Sequence, residues 1–146
     1  MSRVKPAQVR FYFDADILGL AHIIAGLRPD ATYPGDPGGI VHKRQRPPSP
    51  VTTTKTDDDV WIPLVTERGW LIVTKDRHIQ TRPREIQAVR EHGARMVSLG
   101  GAEAVGTFKQ LEIVMSQWRR IEQCLNEPGP FIYIATRTSF RPVDLT

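Results

Sequence analysis

The chain predicts an α/β fold: a three-layer sandwich with a mainly parallel central sheet and a C-terminal helix–strand extension. Two observations predict it. Short runs rich in β-branched and aromatic residues alternate with segments of helical periodicity, the pattern of strands joined by right-handed crossovers. Two of those runs, Val9 to Phe13 and Trp70 to Thr74, lead straight into acids, Asp14-Ala15-Asp16 and Lys75-Asp76. A carboxylate just past a buried strand stands at its C-terminal end, the edge at which open α/β sheets bind ligands. At 146 residues the chain is expected to be one domain, 1–146, with a core large enough to stand alone.

The elements follow in order. Val9 to Phe13 reads as the first strand. Ile17 to Leu27 reads as a helix, because Ile17, Leu20, Ala21, Ile24 and Leu27 form an apolar stripe. Asp16 is its expected N-cap and Pro29 its stop. Ala31 to Pro34 suits a very short strand. Gly35 to Thr56, rich in Pro, Gly and cations, reads as a long mobile connection. A helix is expected from Thr56-Asp57-Asp58-Asp59, whose acids complement the helix dipole, to Gly69. Pro63 is expected to kink it or shift its start. On that helix the spacing turns Asp57 inward with Val60, Trp61 and Leu64, and Asp58 and Asp59 outward. Trp70 to Thr74 is the next strand, Pro83 to His92 a helix closed by Gly93, and Arg95 to Leu99 a strand. A long helix, about Ala104 to Leu125, is expected to bury Phe108, Leu111, Val114 or Met115, Trp118, Ile121 and Leu125. Phe131 to Ala135 is a last strand, and the tail runs past it through Arg141-Pro142.

Composition excludes some classes. No apolar run approaches the roughly 20 residues of a membrane span. The opening Met1 to Pro6 lacks the apolar stretch of a secretory signal, and Cys124 has no second cysteine to pair with, so a cytoplasmic protein is expected. The net charge of +4 is concentrated at two places. His42-Lys43-Arg44-Gln45-Arg46 is one. Lys75, Arg77, His78, Arg82 and Arg84, gathered around Asp76, are the other. Cations beside acids suit a phosphate-bearing substrate. Lys75 and Arg77 could bind neighbouring phosphates, Thr74 could hydrogen-bond a carboxylate or phosphate, and Lys43, Arg44 and Arg46 could grip a phosphate backbone; surface charge is the plainer account of these cations.

Taken together, Asp14, Asp57 and Asp76 suit one metal site. Oxygen ligands without His or Cys select Mg²⁺ or Mn²⁺, and carboxylates holding such an ion are the arrangement used to hydrolyse phosphodiesters. Separately, each aspartate could equally be a helix cap or a turn residue.

Phe13-Asp14-Ala15-Asp16, Thr56-Asp57-Asp58-Asp59-Val60-Trp61 and Leu71-Ile72-Val73-Thr74-Lys75-Asp76-Arg77 resemble the PIN-like nuclease domain. The likeness covers about residues 9–99 and is nearest to the small bacterial branch that includes toxins of toxin–antitoxin pairs. The helix and strand of residues 102–146 resemble an extension seen there. The resemblance implies a metal-dependent ribonuclease. It places the metal, Mg²⁺ or Mn²⁺, on Asp14, Asp57 and Asp76, with Asp16 and Asp58 completing the ligand set or orienting the attacking water. It implies RNA as substrate, an antitoxin protein as partner and a homodimer. A further acid expected on the helix after Asp76 finds its candidate in Glu85, and the segment from Gly35 to Lys55 has no counterpart in the family. Two alternatives remain. Phe11 to Leu18 also resembles the haloacid-dehalogenase signature of a phosphatase, although no acid follows the fourth strand. A degenerate PIN-like module would bind RNA or protein without cutting.

Overall fold

Phe11-Tyr12-Phe13 sets the layers, because alternate side chains of a strand leave opposite faces of the sheet. Phe11 and Phe13 enter one core with Leu20, Ile24, Val97, Ile113 and Ile121, whereas Tyr12 enters a second with Trp61, Ile62, Val65, Val89 and Met96. The computed structural model describes residues 3–75, 83–101 and 104–146. Its strands are β1 (Lys5–Pro6), β2 (Phe11–Phe13), β3 (Ala31–Thr32), β4 (Gly39–Val41), β5 (Arg44–Arg46), β6 (Leu71–Lys75), β7 (Arg95–Leu99), β8 (Phe131–Ala135) and β9 (Phe140–Pro142). Its helices are α1 (Leu18–Leu27), α2 (Asp58–Glu67), α3 (Pro83–His92) and α4 (Thr107–Gln123).

Among the described residues the main sheet runs β3-β2-β6-β7-β8-β9. Every pairing is parallel except β8 with β9. Helices α1 and α4 cover one face, and α2 and α3 the other. The expected three-layer α/β sandwich is therefore the fold. Its parallel strands follow the spatial order 2-1-3-4-5, and the order reverses between β2 and β6. At that reversal the two neighbouring crossovers leave on opposite faces and open a crevice at the carboxyl ends of the strands.

The local devices are those the residues predict at several ends. Pro83 opens α3, and Gly69 and Gly93 take positive φ (+76° and +67°) just past α2 and α3, a backbone conformation that glycine adopts without the strain an L side chain carries there. Helix α2 runs through Pro63, which leaves one turn short of a hydrogen bond without ending the helix.

Four expectations are corrected. Asp16 does not cap α1. Residues Ala15–Ile17 form a 3-10 turn first, and the Asp14 carboxylate caps that turn by accepting the Ala15 N–H. Asp57 does not face inward: it holds the α2 cap position with extended backbone, is exposed and makes no side-chain cap bond, whereas Asp58 is half-buried. On α4 the buried face carries Gln110, Ile113, Val114, Gln117 and Ile121, so Phe108 (81% exposed) and Met115 (66%) point outward. Gln110 and Gln117 can face inward because each donates to a backbone carbonyl, Ala104 O and Thr136 O. Apolar periodicity alone could not assign that face.

The fourth concerns Gly35 to Thr56. Part of this segment is folded into strands rather than forming one long structureless connection. Strands β4 and β5 form an antiparallel hairpin, and β1 adds to β5 in parallel. The anchor is a buried ion pair. Arg46 Nε donates to Asp36 Oδ2 at 2.6 Å, and its Nη1 reaches Ala25 O near the end of α1 at 3.1 Å. Thr32 Oγ1 and the Gly38 N–H complete the Asp36 carboxylate. Arg46, expected among solvated cations, is therefore structural.

Candidate active site

Residues at the carboxyl ends of β2 and β6 meet in the crevice. The Asp14 N–H donates to Val73 O (2.9 Å), which fixes the register of the two strand ends. Thr74, the penultimate residue of β6, turns its hydroxyl to both aspartates: Oγ1 lies 3.1 Å from Asp14 Oδ2 and 3.3 Å from each oxygen of Asp16. A threonine hydroxyl has one proton to donate, so it can satisfy only one of the two carboxylates at a time.

Asp14 is 7% exposed. Burial, and then the charge of Asp16, push its carboxyl up to about 7; the Ala15 N–H and the Thr74 hydroxyl oppose the shift, and Asp58 adds to it. A carboxylate so placed is poised either to hold a proton near neutrality or to take a cation in its stead.

Asp58 enters from the other layer. Its Oδ1 accepts the Trp61 indole N–H at 2.9 Å, and Trp61 stacks on Tyr12 with ring centroids 5.2 Å apart. Tyr12 is fully buried, and its hydroxyl has no hydrogen-bond partner among the described residues. Burial first, then Asp14, Asp16 and Asp58, raise its pKa. Tyr12 and Asp14 are two residues apart along one strand direction, and so share a face. That period-2 relation was present in the sequence, and it is the signal by which Tyr12 could have been found. Trp61 was read as a core residue; it is one, and it also orients Asp58.

The remaining candidates divide. Lys75 is half-buried at the end of β6. Glu85 is buried (7% exposed) on the inward face of α3 with Ala88 and Val89. Asp57 is exposed, and the charge that acts on Asp14 and Tyr12 is that of Asp58. Asp76 and Arg77 lie outside the described residues, as do His78 and Arg82.

The donor chemistry suits a hard divalent cation. The gathered side-chain groups are carboxylates and a hydroxyl, and the raised Asp14 carboxyl marks a place where negative charge is uncompensated. Among the described residues no three His, Cys, Asp or Glu side chains stand close enough to share one ion.

No helix among the described residues is long and apolar enough to cross a membrane. A search of curated proteins and a search of solved structures each returned no match. The model of the family described as "PIN like domain" matches residues 10–101, which spans the strands from β2 to β7, both acidic strand ends and the crevice between them. Domains of this family are generally nucleases and generally use divalent metal ions. With its parallel sheet, its flanking helices and its aspartates at the point of strand reversal, the chain belongs to the PIN-like domain family.

Proposed function

We propose that the chain is a divalent-metal-dependent endoribonuclease, hydrolysing RNA phosphodiesters with Mg²⁺ or Mn²⁺. The observation that carries the reading is the convergence of Asp14 and Asp16 on the Thr74 hydroxyl at the switch point of the sheet. Asp14, Asp16 and Asp76 are the residues that would hold the ion, and Asp58, in the place expected of Asp57, adds its negative charge from α2. When bound, a divalent cation offsets charge on the scissile phosphate and acidifies water.

The chain's own groups do the rest. Thr74 donates its single hydroxyl proton to one or the other of the Asp14 and Asp16 carboxylates. Trp61 holds Asp58 in place from α2. Buried on its face of β2, Tyr12 keeps water from entering beneath the carboxylates. Lys75 and Arg77 bind phosphates on either side of the scissile one. Without the ion Asp14 holds a proton near neutrality, so binding of the ion there releases that proton.

The decisive experiment incubates structured RNA with the protein in Mn²⁺ or EDTA, beside Asp14→Asn and Asp76→Asn. Cleavage that needs the metal and disappears in both variants is expected. Cleavage in EDTA, or full activity in both variants, removes the mechanism.

A second reading is an RNA-binding module that does not cut. It predicts a shift in RNA mobility with no product in any lane. The finer version of the nuclease reading is a cytoplasmic, dimeric toxin held in check by an antitoxin; the likeness to the small bacterial branch supports it. A gene for a small DNA-binding protein beside this one, whose product co-purifies with the chain, is the expected finding.

A further inference from the structure

A recess of about 700 Å³ lies at the end of β2 opposite the aspartates, and its charge is of the opposite sign. It is lined by Arg10, Leu27, Arg28, Asp30, His42 and Arg44 among others. Asp30 is its acid, and two guanidiniums hold it. Arg10 donates from Nε and Nη2 to Oδ2 (3.2 and 2.8 Å), and Arg28 donates from Nε to Oδ1 and Nη2 to Oδ2 (2.9 Å each). Each guanidinium thus commits two of its five N–H donors to Asp30, and both side chains remain open to solvent (41% and 34%). With Arg44 the recess carries a fixed charge of three cations against one acid. Arg28 also lies over the Trp118 ring, 4.7 Å from its centroid, which holds the guanidinium in place.

The hairpin tip supplies a second, independent observation. Val41 pairs with Arg44, so His42-Lys43 is a two-residue turn. Both residues have positive φ, 50° and 61°, which Asn-Gly adopts far more readily. The chain holds two bulky side chains in a strained conformation, with His42 and Arg44 at the wall of the recess and Lys43 exposed between them in sequence. Strain of this kind persists where neighbouring contacts enforce it: here the Lys5 N–H donates to Lys43 O (3.1 Å) and Arg46 locks the hairpin base to Asp36.

We propose that this recess binds the phosphate backbone of a single RNA strand, as a contact separate from the aspartate crevice. As a subsite for substrate it rests on the nuclease reading. Arg10 and Asp14 bracket β2, about 13 Å apart at about 3.3 Å per residue. A strand that contacts both ends must therefore run across about 13 Å of the molecule. Guanidiniums with spare forked donors recognise phosphate oxygens in bidentate fashion, and need no particular base.

The test measures binding of a fluorescein-labelled 20-nucleotide oligouridylate by anisotropy, in EDTA, over a range of salt. Arg44→Ala is expected to weaken binding about tenfold and to lower the salt slope by about 0.7, the loss of one single-strand phosphate contact. The double variant His42→Asn/Lys43→Gly is expected to melt at a higher temperature than the parent and still bind RNA several-fold more weakly, a combination that a purely structural turn would not produce. Unchanged affinity and slope in both variants overturn the proposal, as does a parent protein that binds no RNA. Displacement of the RNA by low-millimolar inorganic phosphate or uridine monophosphate at fixed ionic strength also overturns it, and assigns the recess to a small phosphate ester. A parent that binds RNA with these mutational effects but cleaves none in Mn²⁺ leaves the subsite standing and removes the nuclease reading; one that cleaves while both variants bind normally does the reverse.

Discussion

Replacing Asp14 by Asn should stabilise the metal-free protein at alkaline pH. The folded carboxyl is pushed up to about 7, against an unfolded value of 3.8, chiefly by burial and by Asp16. Between those two values the folded chain holds a proton that the unfolded chain has released. Stability therefore falls as pH rises from about 4 to 7, and the penalty is complete above it. At 1.36 kcal/mol for each tenfold change in proton affinity, that penalty has a ceiling of about 4 kcal/mol. The amide keeps an oxygen for the Ala15 N–H and leaves the Thr74 hydroxyl free to donate to Asp16. The Ala15 and Thr74 bonds already oppose the shift, so the expected gain at pH 8 over that at pH 4 approaches that ceiling of about 4 kcal/mol. At pH 4 the gain should vanish. Urea denaturation of both proteins in EDTA at pH 4 and pH 8 reads the difference directly, because the other groups cancel between them. With Mn²⁺ added at about 100 times its dissociation constant, the parent should gain about 2.7 kcal/mol and the variant much less. An Asn variant less stable than the parent at pH 8, or a difference that does not change with pH, would refute the reasoning.

Breaking the buried Asp36–Arg46 pair from one side, with Asp36→Ala, should cost about 3–5 kcal/mol, because it strands a guanidinium in the interior; denaturation gives the value, and hydrogen exchange should show residues 39–46 losing protection first. Tyr12→Phe should stabilise the EDTA-treated protein by about 1 kcal/mol, since its hydroxyl is buried without a partner among the described residues; a loss of stability would reveal a partner. Ile62→Ala, a fully buried side chain on α2, should cost about 2–5 kcal/mol in the same assay. Phe108→Ser should change stability by no more than about 0.5 kcal/mol, because that side chain is 81% exposed; a melting curve displaced by several degrees would restore it to the core.

The sequence by itself determined the layers and half of the site. Alternation at Phe11-Tyr12-Phe13 and the apolar runs at Leu71 to Thr74, Arg95 to Leu99 and Phe131 to Ala135 are local signals: each strand's burial is written in its own residues, and α3 and β7 begin and end where Pro83, Gly93 and Leu99 place them. Asp14, Asp16 and Thr74 were legible for the same reason, since each sits at the end of such a run. The tertiary structure decided what depends on neighbours distant in sequence. A one-residue difference in where α2 starts half-buries Asp58 rather than Asp57, and the Trp61 indole, stacked on Tyr12, donates to Asp58 there. The inward face of α4 is set by carbonyls that accept from Gln110 and Gln117, not by hydropathy. The basic segment became a folded hairpin because Asp36, ten residues away, buries Arg46. Once Arg46 is withdrawn into that pair, Arg44 is left beside Arg10 and Arg28, and a charge run that read as a solvated loop becomes the wall of a recess.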